Sequence, residues 1–323
     1  MGAAACGLWA VPSGGEIMSA VIRLATRGSD LALVQTRDVA RRLRAAWADL
    51  GTTEEIMRTT GDRKLEADLA KIGALEKGLF TKELEEALLQ DRADAAVHSL
   101  KDLPTTLPEG LALGAILPRA KTDDVLLSLA PGGLEALATG AKVGTGSPRR
   151  RAMLRAARAD LEAHPIRGNV PTRLGKLAAG DFDAIIVAAA GLERLGWTAD
   201  GVIEIDGRSL HATALKRFLP APGQGAVAVE VRAADREVRK YFSALHDEAT
   251  SRAVRAERAV LAGLGGGCHM ALGARAQVDG DVLHLEAVVF DDSGAVPKYA
   301  ALTGTGNDPE SLGRAVAAKL HGE

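Results

Sequence analysis

Short apolar runs alternate with helical periodicity through the first two thirds of the chain. Residues 21–25 read as a strand and Arg27-Gly28-Ser29 as a turn, after which Leu31, Val34, Val39 and Leu43 recur at helical spacing over a helix from about 30 to 47. A second helix is predicted over 81–90, with strands over 94–98, 111–116, 124–129 and 184–189. That order predicts α/β layers with a largely parallel sheet. Two segments echo each other, Asp91-Arg92-Ala93-Asp94-Ala95-Ala96-Val97 and Gly180-Asp181-Phe182-Asp183-Ala184-Ile185-Ile186-Val187. Each sets an acidic residue just before a buried strand that opens into a loop. Two lobes of similar topology facing across a cleft would produce this, and no array-type repeat accompanies it.

The last 80 residues change character. A helix over about 250–264 leads into Gly265-Gly266-Gly267-Cys268-His269, and residues 274–278 and 282–290 alternate faces around Asp279-Gly280, a hairpin turn signal. A third strand follows Asp291-Asp292-Ser293-Gly294, and a helix closes the chain from about Pro309. This predicts a small, separate α+β domain carrying a thiol.

Composition narrows the class. With 323 residues, 47% hydrophobic and 25% charged, the chain suits an ordinary globular protein of two or three domains. Its two cysteines, Cys6 and Cys268, are too far apart for a disulfide scaffold, which points to a reducing compartment. No apolar stretch reaches the roughly 20 residues a membrane helix needs. Residues 1–20 lack a basic residue and are broken by Pro12 and Gly14-Gly15, so they are expected to be a disordered extension rather than a signal peptide.

The net charge of −2 conceals an asymmetry. From Lys142 to Lys176 there are nine Lys and Arg against only Asp160 and Glu162, an excess that predicts an anionic partner. Ser147 is a natural N-cap and Pro148 a natural first helical residue, which puts Arg149, Arg150 and Arg151 in a first turn whose dipole is already positive. Cations there are each unfavourable by about 0.3–1 kcal/mol, so stability does not explain them. Thr26-Arg27-Gly28-Ser29 and Arg167-Gly168-Asn169-Val170-Pro171-Thr172-Arg173 repeat the arrangement before other helices. Several arginine-armed helix starts suit a polycarboxylate or a phosphate. A single such arginine reads as a solvated surface charge; three constellations do not.

Other chemistries fit less well. Aromatic residues make up only 3% of the chain and do not interleave with the basic stretch, so stacking platforms for nucleic acid are lacking. No P-loop motif occurs, and Gly263-Leu264-Gly265-Gly266-Gly267-Cys268 misses the dinucleotide fingerprint at its last position. Metal ligands do not cluster. Asp102, in Ser99-Leu100-Lys101-Asp102-Leu103-Pro104 at a strand's C-terminal edge, lies where α/β folds place ligands; it reads equally as a turn residue or as a carboxylate that stabilises a developing cation. Cys268, alone on a glycine-stripped loop, reads as an inert buried thiol or as one built for access, and the three glycines favour access.

Taken together, Arg23-Leu24-Ala25-Thr26-Arg27-Gly28-Ser29, Thr60-Gly61-Asp62-Arg63, Lys77-Gly78-Leu79-Phe80-Thr81-Lys82-Glu83-Leu84, Ala96-Val97-His98-Ser99-Leu100-Lys101-Asp102-Leu103-Pro104, the turn from Ser147 to Arg150, Arg167-Gly168-Asn169-Val170, Pro222-Gly223-Gln224-Gly225-Ala226 and Gly266-Gly267-Cys268 resemble, in order, the hydroxymethylbilane synthase (porphobilinogen deaminase) family. The resemblance runs from about Ile22 to the end. It implies an α/β fold with two periplasmic-binding-protein-like lobes around a cleft and a small α+β C-terminal domain: residues 21–117 with 217–240, residues 121–212, and residues 244–323. The implied activity is a transferase that joins four porphobilinogen molecules head to tail into hydroxymethylbilane, releasing ammonia, primed on a dipyrromethane cofactor held by a thioether to Cys268. Asp102 would be the catalytic acid/base. Lys101, Asp102, Ser147, Arg149, Arg150 and Gly168 would bind the cofactor, and Arg27, Ser29, Arg149, Arg150, Arg167, Arg173 and Arg194 the substrate. Asp62 and Lys77 would lie on a mobile loop. No metal, nucleic acid or membrane partner is implied, and a cytoplasmic monomer is expected. A non-catalytic two-lobed binding protein would explain the arginines but not the thiol, and a nucleic-acid-binding protein would explain the basic stretch alone.

Overall fold

The computed structural model describes residues 20–59, 81–266, 270–291 and 296–322. Asp62, Lys77, Cys268, His269 and the extension before residue 20 lie outside the described residues. In the first lobe, β1 (Val21–Arg27) leads to α1 (Asp30–Ala46), which buries Val39, Ala40 and Leu43 and exposes Arg41 and Arg44. There follow β2 (Gly51–Met57), α2 (Lys82–Leu89), β3 (Ala95–Ser99) and β4 (Leu111–Ile116). The chain then crosses to a second lobe of β5 (Asp124–Ser128), β6 (Lys142–Gly144), α3 (Pro148–Ala157), β7 (Glu162–His164), α4 (Val170–Ala179), β8 (Ala184–Ala188), α5 (Ala189–Arg194), β9 (Gly201–Ile205) and β10 (Arg208–Ala214). It returns for β11 (Val227–Arg232) and α6 (Arg236–Ser243).

The two sheets repeat one plan. Strand order is β2-β1-β3-β11-β4 in the first and β7-β6-β8-β5-β10-β9 in the second. In each, three strands run parallel, and an antiparallel strand supplied from across a crossover lies between the third and the next: β11 between β3 and β4, β5 between β8 and β10. The sequence echo falls on equivalent positions. Asp94 Oδ2 accepts from the Arg23 amide at 2.8 Å, and Asp183 Oδ2 accepts from the Lys142 amide at 2.7 Å, each carboxylate tying the base of the third strand to the base of the first. Three residues before each, Asp91 (φ 55°) and Gly180 (φ 86°) end the preceding helix in the left-handed conformation. Aspartate tolerates that conformation better than most residues with a Cβ.

A third unit comprises α7 (Glu248–Gly263), the sheet β12 (Leu272–Asp279), β13 (Val282–Phe290) and β14 (Pro297–Thr305), and α8 (Pro309–His321). Its meander turns at Gly280 (φ 58°), as the sequence predicts. Ala256, Val260, Leu285 and Val316 form its core, while Val288 and Phe290 instead join Met153 and Leu154 of the second lobe and Phe218 of the return crossover. Helix α7 fixes this unit to both crossovers. The fully buried Glu257 accepts from Arg119 Nη1 and Nη2 at 2.7 and 2.8 Å, from the Gly223 amide at 2.8 Å and from the Ala276 amide at 2.8 Å. A buried carboxylate is stable only when paired and fully hydrogen-bonded, and this one is.

Candidate active site

The C-terminal ends of the parallel strands carry the candidate residues, as the topology of an open α/β sheet requires. Beyond β3 the chain makes a single 3₁₀ turn, Leu100–Asp102, anchored by Leu100, which is buried with Leu103, Ile116, Ala226 and Val254 of α7. Burying Leu100 and Leu103 turns Asp102 to solvent and leaves Lys101 half-buried. Burial, together with the positive charges of Arg150 and Arg149, lowers the Lys101 ammonium to about 8, against the opposing pull of Asp102 and Asp124. Lys101, from the first lobe, thus shares an electrostatic environment with the second-lobe arginines.

Ser147 caps α3 as predicted, its Oγ accepting from the Arg150 amide at 3.4 Å, with Pro148 at the start of the helix. Arg149 and Arg150 are only 3% and 6% exposed and are already paired with the fully buried Asp124, so the first counter-ion of this helix start comes from the chain itself. Arg149 donates to Asp124 Oδ2 and to the Leu219 carbonyl, both at 2.6 Å; Arg150 donates to Asp124 Oδ1 from Nε and Nη2 at 3.0 and 2.7 Å and to the Ile186 carbonyl at 2.9 Å. Gln224 completes the arrangement, donating to Asp124 Oδ1 at 3.0 Å and to the Thr122 carbonyl at 2.7 Å. The arginines hold the Asp124 carboxyl far below the usual carboxylate range against the opposing effect of burial. Two cations share one anion, so a net positive charge remains, and Arg149 Nε is buried without a partner.

Asn169 caps α4 by accepting from the Thr172 amide at 2.9 Å. Gly168 (φ 110°) precedes it, and a Cβ there would come within 2.7 Å of the Thr172 side chain, so any other residue would be strained at this turn. Arg173 donates to the Gly168 carbonyl at 2.8 Å, and burial, reinforced by the Arg150 charge, lowers its guanidinium. Arg167 is exposed. Arg27 ends β1 half-buried, and Ser29 occupies the N-cap position of α1 without a capping side-chain bond. Arg194 stands apart: its Nη2 donates to the Gly225 carbonyl at 2.8 Å in the return crossover, beside Asp38 and Arg42 of α1. The structure therefore groups Lys101, Arg149, Arg150 and Arg173, leaves Asp102 exposed at their edge, and sets Arg194 at the crossover.

Before Cys268, two of the three glycines answer to local geometry. Gly265 has φ 66°, and a Cβ on Gly266 would meet the Met270 thioether at 2.6 Å. Among the described residues no group of His, Cys, Asp and Glu could hold a metal ion, and no helix is long and apolar enough to cross a membrane. Sequence reasoning missed Asp124, Gln224, Arg119 and Glu257. An acidic residue opening an apolar run, as Asp124 does in Asp124-Val125-Leu126-Leu127, was the available signal.

Two repeated α/β lobes with a buried cationic cluster at their strand ends define a two-lobed α/β protein with an appended α+β domain. Residues 22–240 match the family model described as "Porphobilinogen deaminase, dipyromethane cofactor binding domain", and residues 251–322 match "Porphobilinogen deaminase, C-terminal domain". Curated relatives named porphobilinogen deaminase include one from Maridesulfovibrio salexigens, 45% identical over 93% of this chain and 94% of its own, and one from Stenotrophomonas maltophilia strain K279a, 47% identical over 93% and 95%. The chain belongs to the porphobilinogen deaminase family. Among solved structures, it is similar to the Bordetella pertussis BvgS VFT2 domain (double mutant F375E/Q461E) at 14% identity and a TM-score of 0.42, covering 70% of this chain and 86% of that one. The BenM effector binding domain with benzoate is similar at 16% identity and a TM-score of 0.41, covering 70% and 88%.

Proposed function

We propose that the chain joins four porphobilinogen molecules head to tail into hydroxymethylbilane with release of ammonia, priming the reaction on a dipyrromethane held by a thioether to Cys268. Membership of the family supports the reaction, and the observation that carries the site assignment is the shared environment of Lys101, Arg149, Arg150 and Arg173 beside exposed Asp102. The donor set fits the cofactor. Pyrrole rings bearing acetate and propionate groups need several fixed cations, and this cluster keeps a net positive charge and a buried, unpartnered Arg149 Nε. When bound, the cofactor supplies the free pyrrole end to which successive rings are joined.

In this reading Lys101, Ser147, Arg149, Arg150 and Gly168 hold the cofactor's carboxylates, with Cys268 as the attachment point. Arg27, Ser29, Arg149, Arg150, Arg167 and Arg173 receive those of the incoming substrate, and Arg194 guides the lengthening chain from the crossover. Asp102 holds a negative charge where positive charge develops at the pyrrole nitrogens and moves the proton lost there, a preorganised carboxylate typically lowering such a barrier by about 2.7–4 kcal/mol. Residues 21–117 with 217–240, residues 121–212 and residues 244–323 act as the three domains. The protein works as a cytoplasmic monomer on a small molecule. Its two widely spaced cysteines support the reducing compartment, and the burial of Arg149 and Arg150 argues against a nucleic-acid face.

Intact-mass analysis of the wild type and of Cys268→Ala, alongside product formation from porphobilinogen, tests this reading. The wild type should carry a two-ring adduct, and the variant should fold, show its bare mass and form no product. A wild type of bare mass that still turns over, or an active Cys268→Ala variant, would refute the covalent primer.

A further inference from the structure

Helix α7 approaches the strand-end turn along one face. Thr250, Val254, Glu257 and Arg258 recur at helical spacing, and each meets the first lobe or a crossover: Thr250 Oγ1 accepts from the Arg119 amide at 3.1 Å, Val254 is fully buried with Leu100 and Leu103, and Glu257 takes Arg119 and Gly223. Arg258, half-buried, reaches the main chain on either side of Lys101 and Asp102. Its Nη1 donates to the carbonyls of Leu100 and Leu103 at 3.4 and 3.1 Å, and its Nη2 to the carbonyl of Pro104 at 2.5 Å. Within the segment from Leu100 to Pro104, the Leu103 amide closes on the Leu100 carbonyl at 3.2 Å, and the Leu100 amide is tied to the Ala226 carbonyl at 3.0 Å. The longer of these contacts would be weak singly, but one guanidinium spanning three carbonyls fixes their mutual orientation because its donor fork is planar and rigid.

We propose that Arg258 is a positioning residue for the Lys101–Asp102 turn, set on the helix that precedes Cys268 in the chain. Its role is to place the turn, not to take part in the reaction. It holds the backbone from which Asp102 projects, so that the unit carrying the attachment point also sets the direction of the carboxylate. The proposal rests on the reading of Asp102 as the catalytic carboxylate.

The test compares Arg258→Met, which keeps the aliphatic stem, and Arg258→Lys, which keeps the charge but not the fork, with the wild type. A displacement of about 1 Å at a catalytic group costs on the order of a hundredfold in rate. Arg258→Met should therefore load its cofactor to the wild-type extent and keep its KM for porphobilinogen, with kcat lower by roughly that factor, and Arg258→Lys should recover part of the loss. Independently of turnover, hydrogen exchange at the amides of Leu100, Lys101, Asp102 and Leu103 should quicken in Arg258→Met, while that of the β12–β13 hairpin stays unchanged. Near-wild-type kcat with unchanged exchange at the turn would overturn the proposal. So would a loss that falls equally on loading, KM and kcat, which is the mark of general destabilisation. Should Arg258→Met not fold, Arg258→Lys decides alone: reduced kcat at unchanged KM and loading supports the proposal, and wild-type kcat overturns it. A wild type that forms no product would defeat the functional reading while leaving the exchange experiment to judge Arg258.

Discussion

Lys101 shows how one side chain reports on its site. Burial and the neighbouring arginines lower its ammonium to about 8 from the ordinary 10.5, so in the ligand-free protein it begins to lose its proton just above neutrality. The unfolded chain keeps that proton to higher pH, so Lys101 contributes instability that is fully present below pH 8 and is relieved as pH rises toward 10.5. Carboxylates arriving beside it favour the charged form and draw its pKa back up. Binding of citrate to ligand-free protein at pH 8 should thus be accompanied by uptake of about half a proton. Calorimetry in two buffers of different ionisation enthalpy measures this, and Lys101→Met should abolish the buffer dependence. Equal heats in both buffers for the wild type would show that Lys101 does not meet the anion. The cap residues Ser147 and Asn169 and the helix-start arginines were legible as chemistry because a cap and its helix are adjacent in sequence. Asp124 was not legible as their partner. It precedes Arg149 by 25 residues, and only the folding of β5 beside β8 brings it under α3.

At the level of elements, α2 covers a buried polar nest. Glu85 of α2 lies near His98 of β3 and Glu230 of β11, the last two 3.1 Å apart and both buried, and Glu85 Oε1 and both Glu230 carboxylate oxygens find no hydrogen-bond partner. Burial, with the Glu230 charge adding to it, raises the Glu85 carboxyl above its ordinary 4.5, against the opposing influence of His98. The folded state therefore holds this proton to higher pH than the unfolded chain does. Stability is present below the ordinary value and is lost as pH rises through the elevated one. Glu85→Gln, neutral at every pH, should melt close to wild type near pH 4 and above it at pH 8, and a melting advantage that does not grow with pH would disprove the assignment. The sequence showed α2, β3 and the first helix well, because each has a clear apolar period. It did not reveal β2, whose Glu54 and Glu55 interrupt any apolar run in an edge strand with one neighbour, nor β11, whose burial on both faces became visible only once β3 and β4 flanked it.

Across the whole molecule, the polar connections converge on the two crossovers. Asp124 opens β5 at the end of the outward crossover, Gln224 joins it from the return crossover, and the Gln224 carbonyl accepts from Arg119 at 2.9 Å, whose guanidinium pairs with Glu257 of the third unit. Removing one partner of a buried ion pair typically costs about 3–5 kcal/mol, because the other charge stays buried without compensation. Asp124→Asn should accordingly melt well below wild type when ligand-free. Occupation by a polycarboxylate should raise its melting temperature more than it raises that of the wild type, because the arginines then regain an anion. Melting curves with and without citrate decide the point, and equal increments for both proteins would remove Asp124 from the role of counter-ion.

The placing of β11 also orders the birth of the molecule on the ribosome. Strands β1 to β4 emerge first, yet β3 and β4 do not pair with each other, since β11 lies between them. The second lobe has all its strands once residue 214 has been made, whereas the first waits for residue 232. During translation, then, the earlier-made half stands with an open seam while the later-made half closes, and the first sheet is sealed by its own last strand, which enters between two strands made long before.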